Sequence, residues 1–234
     1  MTARRDEIAD ALRVVRARID DACSAIGRDP DGVTLVAVTK TFPASDVRVL
    51  ADLGVTDIAE NRDQEARAKH AECAELPLRW HFVGQLQRNK VRSVASYADV
   101  VHSVDRLSLV TALSTALMSS GREITALVQI GLDAADDSER GGVPADLALD
   151  LADAVALAPG LKLGGVMAVA PLGGDVDAAF ATLARAAERV RDQHPSAVIV
   201  SAGMSGDLEQ AIHHGATHVR IGTALLGHRA APVG

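Results

Sequence analysis

The sequence has few aromatic residues, few cysteines and no excess of positive charge. It holds one tryptophan, one tyrosine, three phenylalanines and two cysteines, and its formal net charge is −7. Two cysteines without metal-ligand spacing argue against a disulfide-rich scaffold and favour a reducing compartment, so we expect Cys23 and Cys73 to be packing residues. The scattered basic residues of this acidic chain do not form the footprint of a nucleic-acid-binding protein. A phosphorylated ligand would therefore need a local site.

Long apolar runs are also missing. Residues 163–174 are uncharged, but this run contains four glycines and a proline and is shorter than the roughly 20 residues that a membrane-spanning helix needs. The first residues, MTARRDEIADALRVV, mix acidic and basic groups and resemble neither a secretory signal nor a transit peptide. We therefore expect a cytoplasmic protein without a membrane partner.

The chain begins with a helical pattern and continues with short β-type runs. Ile8, Leu12, Val15 and Ile19 recur at helical spacing, which predicts an amphipathic helix ending near Gly27. Eight apolar, β-branched runs follow: TLVAVT, TDIAE, WHFVG, DVVHSV, TALVQIG, LKLGGVMAVA, AVIVSAG and THVRIG. These runs predict eight strands.

The segments between these runs read as amphipathic helices. Residues 43–54, 105–121 and 177–194 are examples, each bounded by Gly, Pro, Asp or Ser. Eight alternations of strand and helix predict a single (β/α)8 TIM-type barrel over residues 1–234, since no Pro-, Gly- or Ser-rich linker divides the chain. An open, doubly wound sheet is the alternative that periodicity leaves open.

Lys40 stands where the first strand ends. Reactive groups of a barrel gather at the carboxyl ends of its strands, and alternation puts Lys40 on the same face as Val36 and Val38. Desolvation disfavours the ammonium form, so a lysine rooted in an apolar wall becomes a nucleophile toward aldehydes. The other interpretation is an ordinary lysine that reaches into solvent.

Arg220 alternates against apolar neighbours on the last strand and needs a partner, because an unpaired buried charge is costly. Glu60, at the end of the second strand, is one candidate to neutralise it. Alternatively, Glu60 and Asn61 line a ligand pocket. His81, on the third strand, reads as a packed, hydrogen-bonded histidine rather than a general base.

Two loops offer a phosphate site. Barrels commonly hold phosphate in the loops after strands seven and eight, and Gly222 and Thr223 open the last of them. In the preceding loop, Asp207 and Gln210 form a plausible capping pair, which leaves the hydroxyl of Ser205 free for another acceptor. The alternative is that Ser205 is a cap and Thr223 a turn residue.

Six motifs together resemble the pyridoxal phosphate homeostasis protein family, the single-domain relatives of the alanine racemase barrel. They are AVTKTFPAS around Lys40, AENRDQE around Asn61, WHFVGQLQRNK over 80–90, GVMAVAP from Gly165, SAGMSGDLEQAI from Ser201 and VRIGTALLG from Val219. Each motif alone is weak, but six in order at predicted strand ends are specific. The resemblance runs from the first helix to about Arg229.

The resemblance implies a barrel like the N-terminal domain of alanine racemase that binds pyridoxal 5'-phosphate (PLP). By that resemblance Lys40 forms the internal aldimine and Arg220 faces the pyridine nitrogen of PLP. Ser205, Gly222 and Thr223 match the phosphate-binding positions, and Asn61 and His81 match residues that line the pocket. A monomer or weak dimer is implied as well. No metal site is expected, because His213 and His214 suit the carboxyl end of a helix and residues 133–139 lack a calcium-loop pattern.

The same residues favour a non-catalytic role in intracellular PLP homeostasis. Arg220 does not give up its proton, so it favours a neutral ring nitrogen and weakens the electron sink. A related racemase would use a tyrosine from a second domain, whereas Tyr97 precedes the predicted fourth strand. We expect a protein that shelters PLP and passes it to PLP-dependent apo-enzymes. The alternatives are a racemase-type PLP enzyme, with His81 or Lys40 handling protons, and a Schiff-base, phosphate-binding barrel enzyme.

Overall fold

A computed structural model describes residues 2–132, 141–171 and 173–227. The chain starts with the predicted amphipathic helix, α1, over Thr2–Ala25. Ile8, Leu12 and Val15 are buried on one face of α1, which packs against the last two helices that the structure describes. Gly27 has a positive φ of 65°, so the left-handed turn that ends this segment needs a glycine.

Strands and helices then alternate as the sequence predicts. The strands are β1 Thr34–Val38, β2 Asp57–Glu60, β3 Arg79–Phe82, β4 Val100–Val104, β5 Ile124–Ile130, β6 Leu161–Ala168, β7 Ile199–Ser201 and β8 His218–Ile221. The helices after α1 are α2 Ala44–Asp52, α3 Asp63–Glu72, α4 Val91–Tyr97, α5 Leu107–Ser120, α6 Ala148–Leu157, α7 Val176–Gln193, α8 Leu208–His213 and α9 Thr223–Leu226.

The eight strands form a closed, parallel barrel in chain order. The closing contact joins β1 to β8, with Val36 opposite Arg220 and Ala37 opposite Ile221. The barrel confirms the predicted fold class and excludes the open, doubly wound sheet. Because every strand runs in the same direction, Lys40 and the residues that follow β8 meet at one end of the barrel, here called the mouth.

The apolar core has an outer and an inner part. The large outer cluster lies between strands and helices, and it includes both cysteines, Cys23 and Cys73, as buried free thiols. The small inner cluster is formed by Val100, Leu127 and Met167, packed against Val169 and Ile199. The cysteines are thus packing residues, as expected.

Polar side chains fill another part of the barrel interior. His81, His102, Ser201, His218 and Arg220 are all less than 9% exposed. This is unusual, because TIM-barrel interiors are ordinarily filled by Val, Ile and Leu. None of the described helices is both long and apolar enough to cross a membrane.

Candidate functional site

Lys40 follows the carboxyl end of β1 and is exposed at the mouth. No hydrogen bond or ion pair engages its ammonium group within the described ranges. The next residue, Thr41, has a φ of 70°, the one positive φ of a non-glycine residue in the part of the chain that the structure describes. A left-handed threonine is strained, and such strain concentrates at functional sites. Sequence patterns gave no signal for this strain.

A buried polar cluster supports the backbone just before Lys40. The Nζ atom of Lys69, on α3, donates to the carbonyl oxygen of Thr39 and to Oε1 of Glu60, in each case over 2.6 Å. The hydroxyl of Thr39 donates to the same carboxylate oxygen, also over 2.6 Å. The cluster lies behind the strand, between the barrel and α3. Sequence patterns did not point to Lys69, which reads there as one more helical lysine.

The expectation that Glu60 neutralises Arg220 is wrong. The side chain of Glu60 is 1% exposed and pairs with Lys69, because alternation along β2 turns Glu60 outward to the helices and Asp57 inward. Arg220 instead donates to neutral acceptors, from Nη1 to the hydroxyl oxygen of Ser201 over 2.7 Å and from Nη2 to the carbonyl of Ala168 over 2.8 Å.

Arg220 brings a positive charge to the barrel interior. It is 4% exposed, and burial lowers its pKa to about 10, with the charge of Asp207 acting in the opposite direction. The guanidinium therefore stays protonated at neutral pH. Two of its donor groups bond within the barrel; no further hydrogen bond of the guanidinium is made among the described residues, which leaves donors for a ligand.

The loops after β7 and β8 are joined to each other. The Ser205 hydroxyl oxygen accepts from the main-chain N–H of Ala224 over 3.1 Å, so Ser205 caps the short helix α9 while its hydroxyl hydrogen stays available to an acceptor. The N–H of Thr223, first in α9, has no acceptor within its own helix. A Cβ added to Gly222 would lie 3.4 Å from the carbonyl oxygen of Val38, so this loop also touches the end of β1.

The expected capping pair of Asp207 and Gln210 is not formed. Asp207 is the N-cap residue of α8 but makes no side-chain capping bond there. Its carboxylate instead accepts from the N–H of Met204 over 2.5 Å. It thus stabilises the turn that carries Ser205, because Asp readily bonds nearby backbone groups in loops.

Asn61 lies next to this site at the end of β2. Its Oδ1 atom is buried and has no hydrogen-bond partner among the described residues. Buried amide oxygens are ordinarily bonded, so an unpartnered one at a barrel mouth fits a ligand contact. The backbone of Gly84 packs so closely on Asn61 that a Cβ there would lie 2.1 Å from the Asn61 carbonyl oxygen.

His81 lies deeper than the other candidate residues. It is 1% exposed, with Nε2 lying 2.9 Å from Oδ1 of Asp57 and Nδ1 lying 2.8 Å from Nε2 of His102. It is the packed, hydrogen-bonded histidine that its sequence context favours. Both ring nitrogens are engaged, so a contact to a ligand would use the ring face, and its pocket-lining role stays a prediction.

Sequence reasoning missed the partners of His81 and Arg220. Asp57, His102 and Ser201 stand in strands that read as ordinary apolar runs, and their contacts cross between strands far apart in the chain. Residues 133–140 lie outside the described residues, whereas Gly141 and Gly142 both have positive φ.

The side chains at the mouth fit the functional groups of PLP. Lys40 provides a free amine for an aldehyde, and Arg220 provides a donor for a ring nitrogen. Ser205 and the start of α9 provide donors for a phosphate. The unpartnered oxygen of Asn61 provides an acceptor for a hydroxyl group.

Comparison with known proteins extends over almost the whole chain. A family model for the alanine racemase N-terminal domain matches residues 11–230. A Mycobacterium leprae protein named pyridoxal phosphate homeostasis protein is 44% identical over 242 residues, which cover 96% of this chain and 93% of the relative.

Solved structures give the same picture. PipY of Synechococcus elongatus, with PLP bound, superimposes with a TM-score of 0.81 and 34% identity, covering 94% of this chain and 100% of PipY. Alanine racemase of Corynebacterium glutamicum gives a TM-score of 0.69 at 16% identity, covering 94% of this chain and 60% of the racemase. The racemase likeness concerns the fold alone.

Proposed function

This chain belongs to the pyridoxal phosphate homeostasis protein family, and on that premise we propose that it binds PLP covalently through Lys40 and keeps it for other proteins without turning over a substrate. When bound, PLP supplies an aldehyde and an electron-withdrawing ring. The relatives are named for PLP homeostasis, and PipY holds PLP in its solved structure.

The observation that carries the proposal is the pairing of β1 with β8. Val36 lies opposite Arg220, so an amine that follows β1 and a guanidinium on β8 share one side of the mouth. Addition of the neutral amine to the aldehyde carbon, followed by loss of water, leaves a carbon–nitrogen double bond. The Lys69 cluster supports this role because it holds the carbonyl of Thr39, one residue before the reactive lysine.

The phosphate is proposed to bind where Ser205 meets α9. The hydroxyl of Ser205 already orients this helix through the N–H of Ala224. Gly222 and Thr223 open the helix, and amide donors at such an opening suit an anion. Asn61 is proposed to contact the edge of the ring through its unpartnered oxygen.

Three features argue for storage rather than catalysis. Tyr97 ends α4 just before β4 and is 3% exposed, so the one tyrosine of this sequence lies away from the mouth. His81, the other candidate for proton transfer, has both ring nitrogens engaged inside the barrel. Arg220 as a ring partner favours a neutral nitrogen, which stabilises a carbanion poorly.

The proposed role is that of a cytoplasmic carrier, monomeric or weakly dimeric, that delivers PLP to apo-enzymes. To test it, protein loaded with PLP would be mixed with a PLP-dependent apo-enzyme in the presence of a trap for free PLP. We expect recovery of enzyme activity despite the trap, and none from loaded protein whose PLP has been fixed by borohydride. Recovery that disappears with the trap would contradict delivery.

The non-catalytic part needs a separate measurement. Loaded protein would be incubated with amino acids in deuterated water, and exchange at the α-carbon would be followed by NMR. We expect exchange no faster than with free PLP. Faster exchange that is lost in His81→Gln would instead support the racemase-type alternative.

A further inference from the structure

Four hydrogen bonds form a continuous chain through the barrel interior from Asp57 to Arg220. Oδ1 of Asp57 lies 2.9 Å from Nε2 of His81, and Nδ1 of His81 lies 2.8 Å from Nε2 of His102. Nδ1 of His102 lies 3.0 Å from the Ser201 hydroxyl oxygen. That oxygen accepts from Nη1 of Arg220 over 2.7 Å. The chain thus connects β2, β3, β4, β7 and β8.

The two ends of this chain set one direction for all four bonds. A carboxylate only accepts, so Asp57 receives the Nε2–H of His81. A neutral His81 then accepts at Nδ1 from the Nε2–H of His102. His102 in turn accepts at Nδ1 from the hydroxyl of Ser201. Arg220, which only donates, donates to the oxygen of Ser201, whose own hydrogen is directed at His102.

The burial of both imidazoles favours this neutral arrangement. His102 is fully buried and His81 is 1% exposed, and burial lowers the pKa of both, that of His102 to well below its ordinary value. An added proton on Nδ1 of His81 would face the Nε2–H of His102, so two donors would meet without an acceptor unless His102 changed its tautomer. His102 would then donate to Ser201, which already accepts from Arg220. The position of every proton is therefore linked to Arg220.

The hydrogen-bond chain begins at the amino-terminal face of the barrel, at Asp57, and ends at Arg220 inside β8. Asp57 is the first residue of β2 and lines a cavity of about 320 Å³ at the amino-terminal face, together with Arg16, Thr34 and Thr56. Burial is the largest single effect and raises the pKa of Asp57, but the hydrogen bonds from His81 and Thr56 and the nearby positive charge of Arg79 together hold that pKa below its ordinary value. A negative charge at the amino-terminal face is thus linked by hydrogen bonds to the positive charge of Arg220 in β8.

We infer that Ser201, His102, His81 and Asp57 are positioning residues for Arg220, which hold its guanidinium in one orientation toward the ring nitrogen of the bound cofactor. The inference rests on the proposed function in one respect only, namely that the ring nitrogen of bound PLP faces Arg220. Ser201 is the direct support. His102 and His81 keep the hydroxyl of Ser201 turned away from Arg220, and the carboxylate of Asp57 fixes the tautomer of His81.

The first test needs no ligand. Protein labelled with ¹⁵N-histidine would be studied by long-range ¹H–¹⁵N NMR at pH 7.5, with His81→Gln and His102→Gln used for assignment. We expect both rings to be neutral and protonated on Nε2. An imidazolium, or a proton on Nδ1 of either ring, would overturn the inference.

The second test separates positioning from a merely structural role. PLP is compared with its 1-deaza analogue, in which a C–H group replaces the ring nitrogen. Loss of one hydrogen bond to a charged group in Ser201→Ala should weaken PLP binding about ten-fold. Binding of the analogue, which has no ring nitrogen for Arg220 to meet, should change less than about two-fold.

Two variants keep the result interpretable. His102→Gln, which retains a partner for His81 but lacks one for Ser201, should give the same difference between the ligands. His194→Gln is the matched control, since His194 pairs with Asp153 on the outside of the protein over 2.7 Å. Equal losses for PLP and the analogue would overturn the inference. Failure of the unmutated protein to bind PLP would refute the proposed function. The ligand-free test would then decide whether the protons of the hydrogen-bond chain are placed as inferred.

Discussion

The Nζ atom of Lys69 lies 2.6 Å from the carbonyl oxygen of Thr39, the residue directly before Lys40. The same atom lies 2.6 Å from Oε1 of Glu60, whose side chain is 1% exposed. The buried ion pair therefore joins α3 to the end of β2, and the hydrogen bond to Thr39 joins α3 to the end of β1, just before Lys40. Removing one member of such a pair leaves the other charge buried without compensation.

Lys69→Met should lower the free energy of unfolding by about 3 kcal/mol, because it leaves the buried carboxylate of Glu60 without its positively charged partner. Urea unfolding followed by circular dichroism measures the change. Arg67→Met is the matched control, since Arg67 is exposed on the same helix and should change the stability by less than about 0.5 kcal/mol. Similar costs for the two variants would show that the buried pair contributes little.

Stability should fall as the pH is lowered below 6.5. Burial lowers the pKa of His81, His102 and His218, that of His218 to about 4. In the unfolded chain these groups titrate near 6.5, so at lower pH the unfolded state binds more protons than the folded state. Stability is therefore fully present above pH 6.5 and is lost as the pH falls toward 4, by up to about 1.4 kcal/mol per pH unit for each histidine.

Urea unfolding at pH 7.5, 6.5 and 5.5 checks this slope. His218→Asn should reduce the change of the free energy of unfolding with pH by up to about 1.4 kcal/mol per pH unit, which corresponds to one proton. His213→Asn, which changes an exposed histidine, should leave this slope unchanged. A slope that is the same in both variants would contradict the assignment of the effect to the barrel interior.

Gly84→Ala should be strongly destabilising. A Cβ at this position would lie 2.1 Å from the carbonyl oxygen of Asn61, so the backbone at the end of β2 must shift. We expect a loss of about 1–3 kcal/mol in the free energy of unfolding and weaker PLP binding. Gly206→Ala is the control, because nothing lies within 4 Å of its Cβ position. Equal stabilities would mean that the contact between Gly84 and Asn61 is not as close as described.

Ser205→Ala should weaken the binding of PLP but not that of pyridoxal. The hydroxyl of Ser205 orients α9 through Ala224 and, in our proposal, donates to the phosphate. Loss of a hydrogen bond to a charged group corresponds to about a ten-fold weaker Kd for PLP. Pyridoxal lacks the phosphate and serves as the matched ligand control. A parallel loss for both ligands would assign Ser205 a purely structural role.

The sequence was sufficient for the fold and for the mouth residues that follow strands. The barrel follows from eight local alternations, and Lys40, Ser205, Gly222 and Thr223 could be placed because strand ends converge in any parallel barrel. Glu60 was assigned to the wrong partner because its outward direction depends on where β2 begins. Asp207 was assigned the wrong donor because several nearby N–H groups compete for one carboxylate.

The polar chain inside the barrel was not accessible from sequence. His102 and Ser201 are 99 residues apart, and each stands in a run that reads as an apolar strand. Their meeting depends on the closure and shear of the barrel, which local patterns do not contain. The strained backbone of Thr41 could not be predicted for a similar reason, since it depends on a contact distant in sequence, in which the N–H of Thr41 donates to the carboxylate of Glu65.

The central claim is that Lys40 holds PLP. The most direct test is mass spectrometry of peptides from PLP-treated protein after reduction with borohydride. We expect the reduced PLP label on the peptide that contains Lys40, and no label in Lys40→Ala. The control is Lys162→Ala, which removes a lysine at the second position of β6 and should be labelled like the unmutated protein. A label spread over several lysines, or one that persists in Lys40→Ala, would contradict the account.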